Sequence, residues 1–427
     1  MITTPALRHQ HALANGLRVV IEEDHDTPAV AVNLWYGVGS RHEKAGRTGL
    51  AHLFEHLMFQ GSANAAAGEH FALLDAIGAQ LNATTSHDRT NYFETVPTQG
   101  LDLALWLEAD RLGGLLAALD QTGLDNQRDV VRNERRQRMD NQPYGTAWER
   151  LFAATFEPGH QYHHMPIGSM RDLADATLDD VRDFFREHYV PGNAVLSLVG
   201  DVDTEEALAK VERYFGGIDA GAMPQVKAPQ PTHRRIPQRI DVTDEDVPNS
   251  AVFLMWPVPA DGSDACDHLD LAAQILTEAN SSRLKQELVR RERAATSVHG
   301  GLNRMVGGRS VFTVTAMGAD GVEPHRLLEL MTETIQRLGK QTPSEQELES
   351  ARANCEAGHL QATQDLGGRA DSLSHGACLF GDPGYDEATL EAIRTCGADD
   401  MRRTVSDWLD PAEATVLTYR PREDAAR

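Results

Sequence analysis

A repeated order of secondary-structure patterns most constrains the fold of this chain of 427 residues. Alternating, β-branched segments at 16–22 and 29–36 predict strands; a helix, a hairpin and further helices follow, and a strand at 193–199 closes the unit. The same order begins again with a strand at 250–256 and closes with one at 415–419. We therefore predict an α+β fold with an internal duplication: two homologous α/β-sandwich domains, each a mainly antiparallel sheet with helices on one face. Two unrelated α+β domains are the alternative.

A proline-rich stretch separates the two predicted domains. Four prolines and few apolar side chains lie between residues 216 and 239, which is typical of a linker. One hydrophobic core for the whole chain would also exceed the usual size of a domain. We predict an N-terminal domain at 1–217, a linker at 218–239 and a C-terminal domain at 240–427.

Composition excludes several classes of protein. The net charge of −24 argues against nucleic acid as a partner. We expect no membrane span, because no apolar run approaches about 18 residues. The N-terminus has no basic region followed by an apolar one, so we expect no signal peptide in this chain and a cytoplasmic location, or a periplasmic one if a leader had been removed. The four cysteines lie in the second half without a C-x-x-C pair, which argues against a thiolate zinc site.

The segment 48–59 carries the strongest chemical signal, H-x-x-E-H, formed by His52, Glu55 and His56. Residues four apart lie on one face of a helix, so both imidazoles can reach one metal ion. Glu55 projects beside the same face. Two histidines with an adjacent carboxylate suit zinc hydrolysis, in which Glu55 would take a proton from a water molecule. The alternative is that these histidines are ordinary surface or core residues.

A catalytic zinc usually has a third protein ligand, for which Glu134 is the preferred candidate. It follows Val130 by four residues on a predicted helix, and we expect Val130 and Val131 to face the core, with Glu134 pointing inward beside them. Glu108 and Asp110 compete for this role. On the pattern of the residues alone, a solvated helix carboxylate is the favoured interpretation of each of the three.

These features resemble the inverted-motif zinc peptidases, which include pitrilysin, insulin-degrading enzyme and the mitochondrial processing peptidase. The V-V-x-x-E that ends at Glu134 follows His56 by 134 − 56 = 78 residues, as in that family. Other segments that resemble the family occur in the same order along the chain, at 78–92, 166–168, 189–202 and 282–288. The length resembles the short bacterial and processing-peptidase branch, in which each chain has two homologous domains and two chains close around a chamber.

The resemblance implies roles for individual residues. His52, His56 and Glu134 would bind Zn²⁺, and Glu55 would be the general base. A further implication is that the strand containing Asn82, Ala83 and Thr84 takes up peptide substrates, which bind by adding a β-strand to it. The alternative for these three is that they are ordinary strand residues.

The chain departs from the family pattern at two places. The family usually has a second Glu seven residues before the ligand Glu, and Gln127 stands there; its amide can hydrogen-bond near a ligand but supplies no charge. Active members also have an Arg and a Tyr in the C-terminal domain that stabilise the oxyanion, and gapless alignment puts Val289 and Thr296 at those places. A slip of one residue would place Arg290 at the first, but Ser297 at the second.

These departures predict that the chain contains only part of an active site, because the Arg and Tyr that stabilise the oxyanion are missing. We therefore expect a zinc metallo-endopeptidase subunit that hydrolyses short or unfolded peptides and forms a heterodimer with a homologous subunit that has the Arg and Tyr. The alternatives are a non-catalytic, zinc-retaining structural or assembly subunit of a related complex, and a self-sufficient homodimeric peptidase.

Overall fold

The computed structural model describes residues 8–225 and 237–422. Within them the chain divides into two compact units: the first comprises 8–134, 166–225 and 360–386, and the second 135–165, 237–359 and 387–422. Each unit therefore takes in a segment from the other half of the sequence. Half of the predicted linker at 218–239, namely 226–236, lies outside the described residues, so the division of the chain there stays a prediction.

The first half of the chain contains six strands and eight α-helices within its described residues. The strands are β1 (Arg8–Ala12), β2 (Arg18–Glu23), β3 (Ala29–Tyr36), β4 (Gln80–Thr85), β5 (Thr90–Pro97) and β6 (Ala194–Gly200). The helices are α1 (Leu50–Leu57), α2 (Glu69–Ala76), α3 (Leu101–Ala118), α4 (Gln121–Arg135), α5 (Ala147–Thr155), α6 (Met170–Asp175), α7 (Leu178–His188) and α8 (Thr204–Phe215).

The second half, as far as it is described, contains five strands and six α-helices. The strands are β7 (Arg239–Asp244), β8 (Ala251–Pro259), β9 (Ala295–Asn303), β10 (Arg309–Gly318) and β11 (Thr415–Pro421). The helices are α9 (Asp264–Ala273), α10 (Pro324–Lys340), α11 (Glu345–Ala362), α12 (Leu366–His375), α13 (Tyr385–Thr395) and α14 (Ala398–Trp408).

The two sheets have the same topology. The first has the order β1-β2-β6-β3-β5-β4 and the second the order β7-β11-β8-β10-β9. In the first, β2 and β6 are parallel and the other neighbours antiparallel; in the second, β7 and β11 are the parallel pair. Apart from β1, each strand thus has a counterpart with the same neighbours in the same direction. This correspondence supports the predicted duplication, and the predicted fold class is confirmed.

Both faces of the first sheet are covered, because successive side chains of a strand point to opposite faces. Val30, Val32 and Leu34 of β3 lie in the main core with α1 and α3. On the other face, Ala31 packs with Ala370 and other apolar residues of α12. The predicted helices on one face correspond to the larger helical layer. The opposite face of the sheet is covered by α12, which comes from the second half of the sequence.

The second sheet is completed in the same way. Helix α5, from the first half of the sequence, packs against β8 and β11. Its Leu151 and Phe152 lie in a buried cluster with Met255 of β8 and Leu417 of β11. Each sheet thus has a second helical layer that no local pattern in its own half of the sequence specifies.

Candidate metal centre

Helix α1 carries the H-x-x-E-H residues and is held at its N-terminus by a buried carboxylate. Glu43 accepts hydrogen bonds from the Gly49 N–H through Oε2 and from the Ala51 N–H through Oε1, both at 2.8 Å. These bonds satisfy amide groups that have no partner within a helix, and a negative charge there complements the helix dipole. Leu53, Phe54 and Leu57 bury the opposite side of α1 in the core. Local capping and packing therefore fix which face of α1 meets solvent.

Two glycines allow the start of α1 to approach a neighbouring loop closely. Gly49 has φ +92° and Gly168 has φ +71°, a conformation that residues with a Cβ rarely adopt. A Cβ on Gly168 would lie 2.4 Å from the Gly49 Cα. This contact explains why Gly168, in one of the segments that resemble the family, cannot carry a side chain.

His52, His56 and Glu134 come together on the exposed face of α1. Glu134 Oε2 lies 3.7 Å from His52 Nε2 and 3.4 Å from His56 Nε2. The three potential ligand atoms all lie within 4.8 Å of one another. Two ligand atoms of a tetrahedral zinc are about 3.4 Å apart, given Zn–N and Zn–O bonds of about 2.0–2.1 Å. The observed separations therefore fit a shared zinc ion better than direct hydrogen bonds of about 3 Å.

Helix α4 supplies Glu134, but the reason given from the sequence was wrong in one respect. Val131 is buried in the core, whereas Val130 is 45% exposed. Glu134, one turn after Val130, therefore shares the more exposed face of α4, and its side chain is 17% exposed. That face borders α1, which is why a partly exposed carboxylate can meet the two histidines.

The competing carboxylates have other partners. Glu108 is fully buried and forms an ion pair with Arg111, three residues further along α3. Asp110 accepts hydrogen bonds from the Ser62 hydroxyl at 2.5 Å and the Asn64 N–H at 3.0 Å. These contacts leave Glu134 as the carboxylate that joins the two histidines.

Glu55 lies next to the triad and contacts a strand. Its Oε2 accepts a hydrogen bond of 2.5 Å from the Thr85 hydroxyl at the end of β4. Burial raises the pKa of Glu55, whereas the Thr85 bond and nearby His56 act to lower it. A carboxyl whose pKa is raised by burial is a better proton acceptor than an exposed one. Thr85 was not among the residues predicted from the sequence, although it directly follows Asn82, Ala83 and Thr84.

The three predicted substrate residues lie on β4, the last strand of the first sheet. The Ala83 N–H donates to the Asn82 side-chain oxygen at 2.9 Å. The Thr84 hydroxyl donates to Asn91 Oδ1 on the face opposite Thr85. A cavity of about 990 Å³ lies over the face of the sheet that carries Asn82, Thr84 and Asn91, between that face and the N-terminal turn of α12. As the last strand of its sheet, β4 has the position that strand addition requires.

The positions that depart from the family pattern occur in both units. Gln127 is half-buried on α4, two turns before Glu134. In the second unit, Val289 packs against the core, and the exposed Thr296 donates to the Met317 carbonyl at 3.2 Å. Arg290 is exposed and donates to the Asn280 carbonyl.

Comparison with known proteins identifies the family. A family model described as insulinase (peptidase family M16) matches residues 18–165, and one described as the peptidase M16 inactive domain matches 175–355. The zinc protease PqqE of Helicobacter pylori is 31% identical over 418 residues, which cover 96% of this chain and 92% of that protein. This chain belongs to peptidase family M16. The resemblance stated from the sequence is therefore confirmed.

Solved structures of similar proteins have the same fold. A crystal structure of a protease from Helicobacter pylori matches with a TM-score of 0.92 and 27% identity, covering 97% of this chain and 100% of that one. The peptidase M16 inactive domain from Pseudomonas fluorescens matches with a TM-score of 0.86 over 97% of this chain and 98% of that one, and at 18% identity it shows the fold alone. Membership of M16 and the His/Glu triad support zinc as the cofactor. Among the described residues, no helix combines the length and apolar character needed to cross a membrane.

Proposed function

We propose that this M16 protein is the zinc-binding subunit of a metallo-endopeptidase that hydrolyses short or unfolded peptides. The observation that carries the proposal is the convergence of His52, His56 and Glu134 on one point with Glu55 beside them. A scaffold that only retained a metal would not need a partly buried carboxylate next to the ligands. The proposal assigns the three converging side chains as zinc ligands and Glu55 as the general base.

Each residue of the proposed site has a separate chemical role. His52 and His56 act as neutral ligands through Nε2, and Glu134 contributes one negative charge. A zinc ion held there lowers the pKa of a water molecule and polarises a carbonyl group. Glu55 takes a proton from the attacking water and delivers it to the leaving amine nitrogen, which requires that its carboxylate be oriented towards both.

The substrate class follows from the position of β4. A peptide that adds to this strand is bound mainly through its main chain, so many sequences are accepted but only extended segments fit. Ala83 would then offer its N–H to the peptide, and the Asn82 side chain that now accepts this bond would turn to the substrate instead. Folded proteins present few such segments, which limits the substrates to short or unfolded peptides.

A second, homologous subunit is proposed because of Val289 and Thr296. Valine has no hydrogen-bond donor and packs against the core, and the Thr296 hydroxyl is already bonded to a carbonyl. Neither can stabilise an oxyanion, a role worth roughly 3 kcal/mol per donor. A partner chain with the Arg and Tyr at the corresponding places would supply this function.

The test is zinc content and peptidase activity measured on one sample of the purified chain, with a quenched, unstructured peptide as substrate. We expect about one zinc per chain, weak turnover of the chain alone and strong, chelator-sensitive turnover after co-expression with an Arg/Tyr-bearing homologue. A chain without zinc would contradict the metal centre. Strong activity of the isolated chain would contradict the need for a partner and would uphold the peptidase.

A further inference from the structure

We infer that Thr85 is the positioning residue of Glu55: its hydroxyl orients the carboxylate that we propose as the general base. This inference deepens the proposed function and rests on it. Thr85 is not one of the three proposed zinc ligands. It acts through Glu55.

The contact is between two elements that are fixed separately. Glu55 belongs to α1, whose N-terminus is bound by Glu43 and whose far side is buried in the core. Thr85 ends β4 and pairs with Thr90 of β5. Its hydroxyl donates to Glu55 Oε2, and both side chains are partly buried. A hydrogen bond between two fixed backbones selects one orientation of the more flexible side chain, which here is Glu55.

A glutamate needs such a partner because its terminal torsion is broad. Rotation about the bond to the carboxylate has no sharp minima, unlike the torsions between tetrahedral carbons. Threonine is branched at Cβ and restricted at χ1, so its hydroxyl is a well-placed donor. With Oε2 engaged by Thr85, Oε1 is the oxygen left to accept a proton. The bond thus favours one carboxylate orientation before any substrate is present, which is preorganisation in the ordinary sense.

The opposite face of β4 keeps Thr85 in place. Successive residues of a strand point to opposite faces, so Thr84 points away from Glu55. The Thr84 hydroxyl donates to Asn91 Oδ1, and the Asn91 amide donates to Asn33 at 3.2 Å and to Asp371 at 3.1 Å. Asn33 and Asn91 are both buried. This network anchors the end of β4 in the sheet and so fixes the position of Thr85 relative to α1.

The arrangement joins two functions in one strand. The segment that we propose as the docking site for peptide ends in the residue that holds the base. Loss of the hydroxyl should therefore leave the main chain of β4 available to substrate while it frees the carboxylate. This predicts a change in kcat rather than in KM.

Three variants separate positioning from structural effects. Thr85→Val removes the hydroxyl but keeps the shape and β-branching, and Thr85→Ser keeps the hydroxyl. The matched control is Thr98→Val, because the Thr98 hydroxyl also donates to a carboxylate in the same unit, that of Asp201, at 3.1 Å. It removes the same type of bond without touching Glu55.

The first readout needs neither zinc nor activity. The metal-free chain is labelled with carbon-13 at glutamate carboxyl positions, and the Glu55 resonance is assigned by its absence in Glu55→Gln. At one fixed pH we expect this resonance to shift in Thr85→Val, to stay near its wild-type position in Thr85→Ser and to be unchanged in Thr98→Val. An unshifted Glu55 resonance in Thr85→Val would overturn the inference.

The second readout is kinetic and uses the active assembly. We expect Thr85→Val to lower kcat roughly 10- to 100-fold, the value of one hydrogen bond to a charged group, with KM and zinc content unchanged and most of the loss recovered in Thr85→Ser. Wild-type kcat in Thr85→Val would refute the catalytic part. If the wild-type assembly shows no zinc-dependent cleavage, the proposed function fails instead, and the carboxyl resonance still decides whether Thr85 orients Glu55.

Discussion

The corresponding helices of the two units, α1 and α9, arrange charge in opposite ways. In the chain α1 lies between β3 and β4, and α9 lies between the corresponding strands β8 and β9; each helix contacts the second strand of its pair, which is the last in its sheet. On α1, His52 and His56 meet Glu134 at distances that suit a shared metal ion. On α9, Asp267 and Asp270 meet the side chain of Arg304. The same topology thus carries a proposed metal site in the first unit. In the second unit it carries a cluster whose cation is the side chain of Arg304.

In the cluster of the second unit, the cation that neutralises the aspartates is the side chain of Arg304. Arg304 donates to Asp267 at 2.8 Å, to Asp270 at 3.1 Å and to Asp261 at 2.5 Å. Burial opposes the charged form of Arg304, but Asp270 and Asp261 outweigh it, and the pKa of the guanidinium is raised. These three aspartates are therefore balanced within the fold. In the first unit, under our proposal, a zinc ion from solution takes the corresponding place beside Glu134, which makes metal binding the central difference between the units.

The largest effect should come from Glu55 of α1, which we propose as the general base. In the active assembly we expect Glu55→Gln to lower kcat by roughly 10²- to 10⁴-fold, because the amide cannot accept the proton of the attacking water. Zinc content should stay at the wild-type level. The control is Asp264→Asn on α9, an exposed carboxylate of the corresponding helix, which should leave kcat unchanged. Retained turnover in Glu55→Gln would refute the assigned base.

Loss of Glu134, a proposed ligand, should weaken zinc binding without affecting the second unit. We expect Glu134→Gln to weaken zinc binding by more than roughly 100-fold, since even hydrogen-bonding partners of ligands contribute 10- to 100-fold. Competition with a chromophoric chelator gives the affinity. Asp129→Asn, an exposed carboxylate earlier on α4, is the matched control and should bind zinc as the wild type does. Equal affinities of the two variants would remove Glu134 from the ligand set.

Removal of the internal cation should destabilise the second unit and spare the metal. Arg304→Met leaves Asp261, Asp267 and Asp270 without their shared partner, and breaking such a buried ion pair costs about 3 kcal/mol of the free energy of unfolding. Urea denaturation measures the loss. Arg403→Met, which removes a solvent-exposed pair with Asp400, should cost much less, because water screens such pairs. A simultaneous loss of zinc in Arg304→Met would show that the two clusters are not independent.

The smallest effect concerns pH. Burial lowers the pKa of His70 in the first unit from 6.5 to about 2. Below pH 6.5 the unfolded chain binds a proton that the folded chain does not, so the free energy of unfolding falls by up to about 1.4 kcal/mol per pH unit as the pH decreases. His70→Phe removes this dependence and keeps the ring contact with Phe59.

Urea midpoints at pH 7.5 and 5.5 test this expectation. The wild type should lose more stability between the two values than His70→Phe does. An equal loss in both proteins would show that His70 takes up its proton without unfolding.

The sequence predicts the parts of this account that depend on local periodicity. The face shared by His52 and His56 follows from their spacing on a helix, and the duplication follows from the repeated order of strands and helices. The position of Glu134 was expected, but the supporting statement about Val130 was wrong, because helical spacing shows which residues share a face and not which face is buried.

Other contacts depend on residues far apart in the chain. The hydrogen bond from Thr85 to Glu55 joins a strand to a helix thirty residues earlier, and α12 covers a sheet formed largely by the first half of the sequence. A single sequence has no periodic signal for either. The ion pair of Glu108 with Arg111 is local, yet only its burial shows that this carboxylate is unavailable to a metal.

The most direct test of the central claim is a crystal structure of the chain grown with zinc, with anomalous difference density measured at the zinc absorption edge. We predict one strong peak bounded by His52 Nε2, His56 Nε2 and Glu134 Oε2, and no peak at the aspartates around Arg304. Absence of density at the histidines, or a stronger peak in the second unit, would contradict the account.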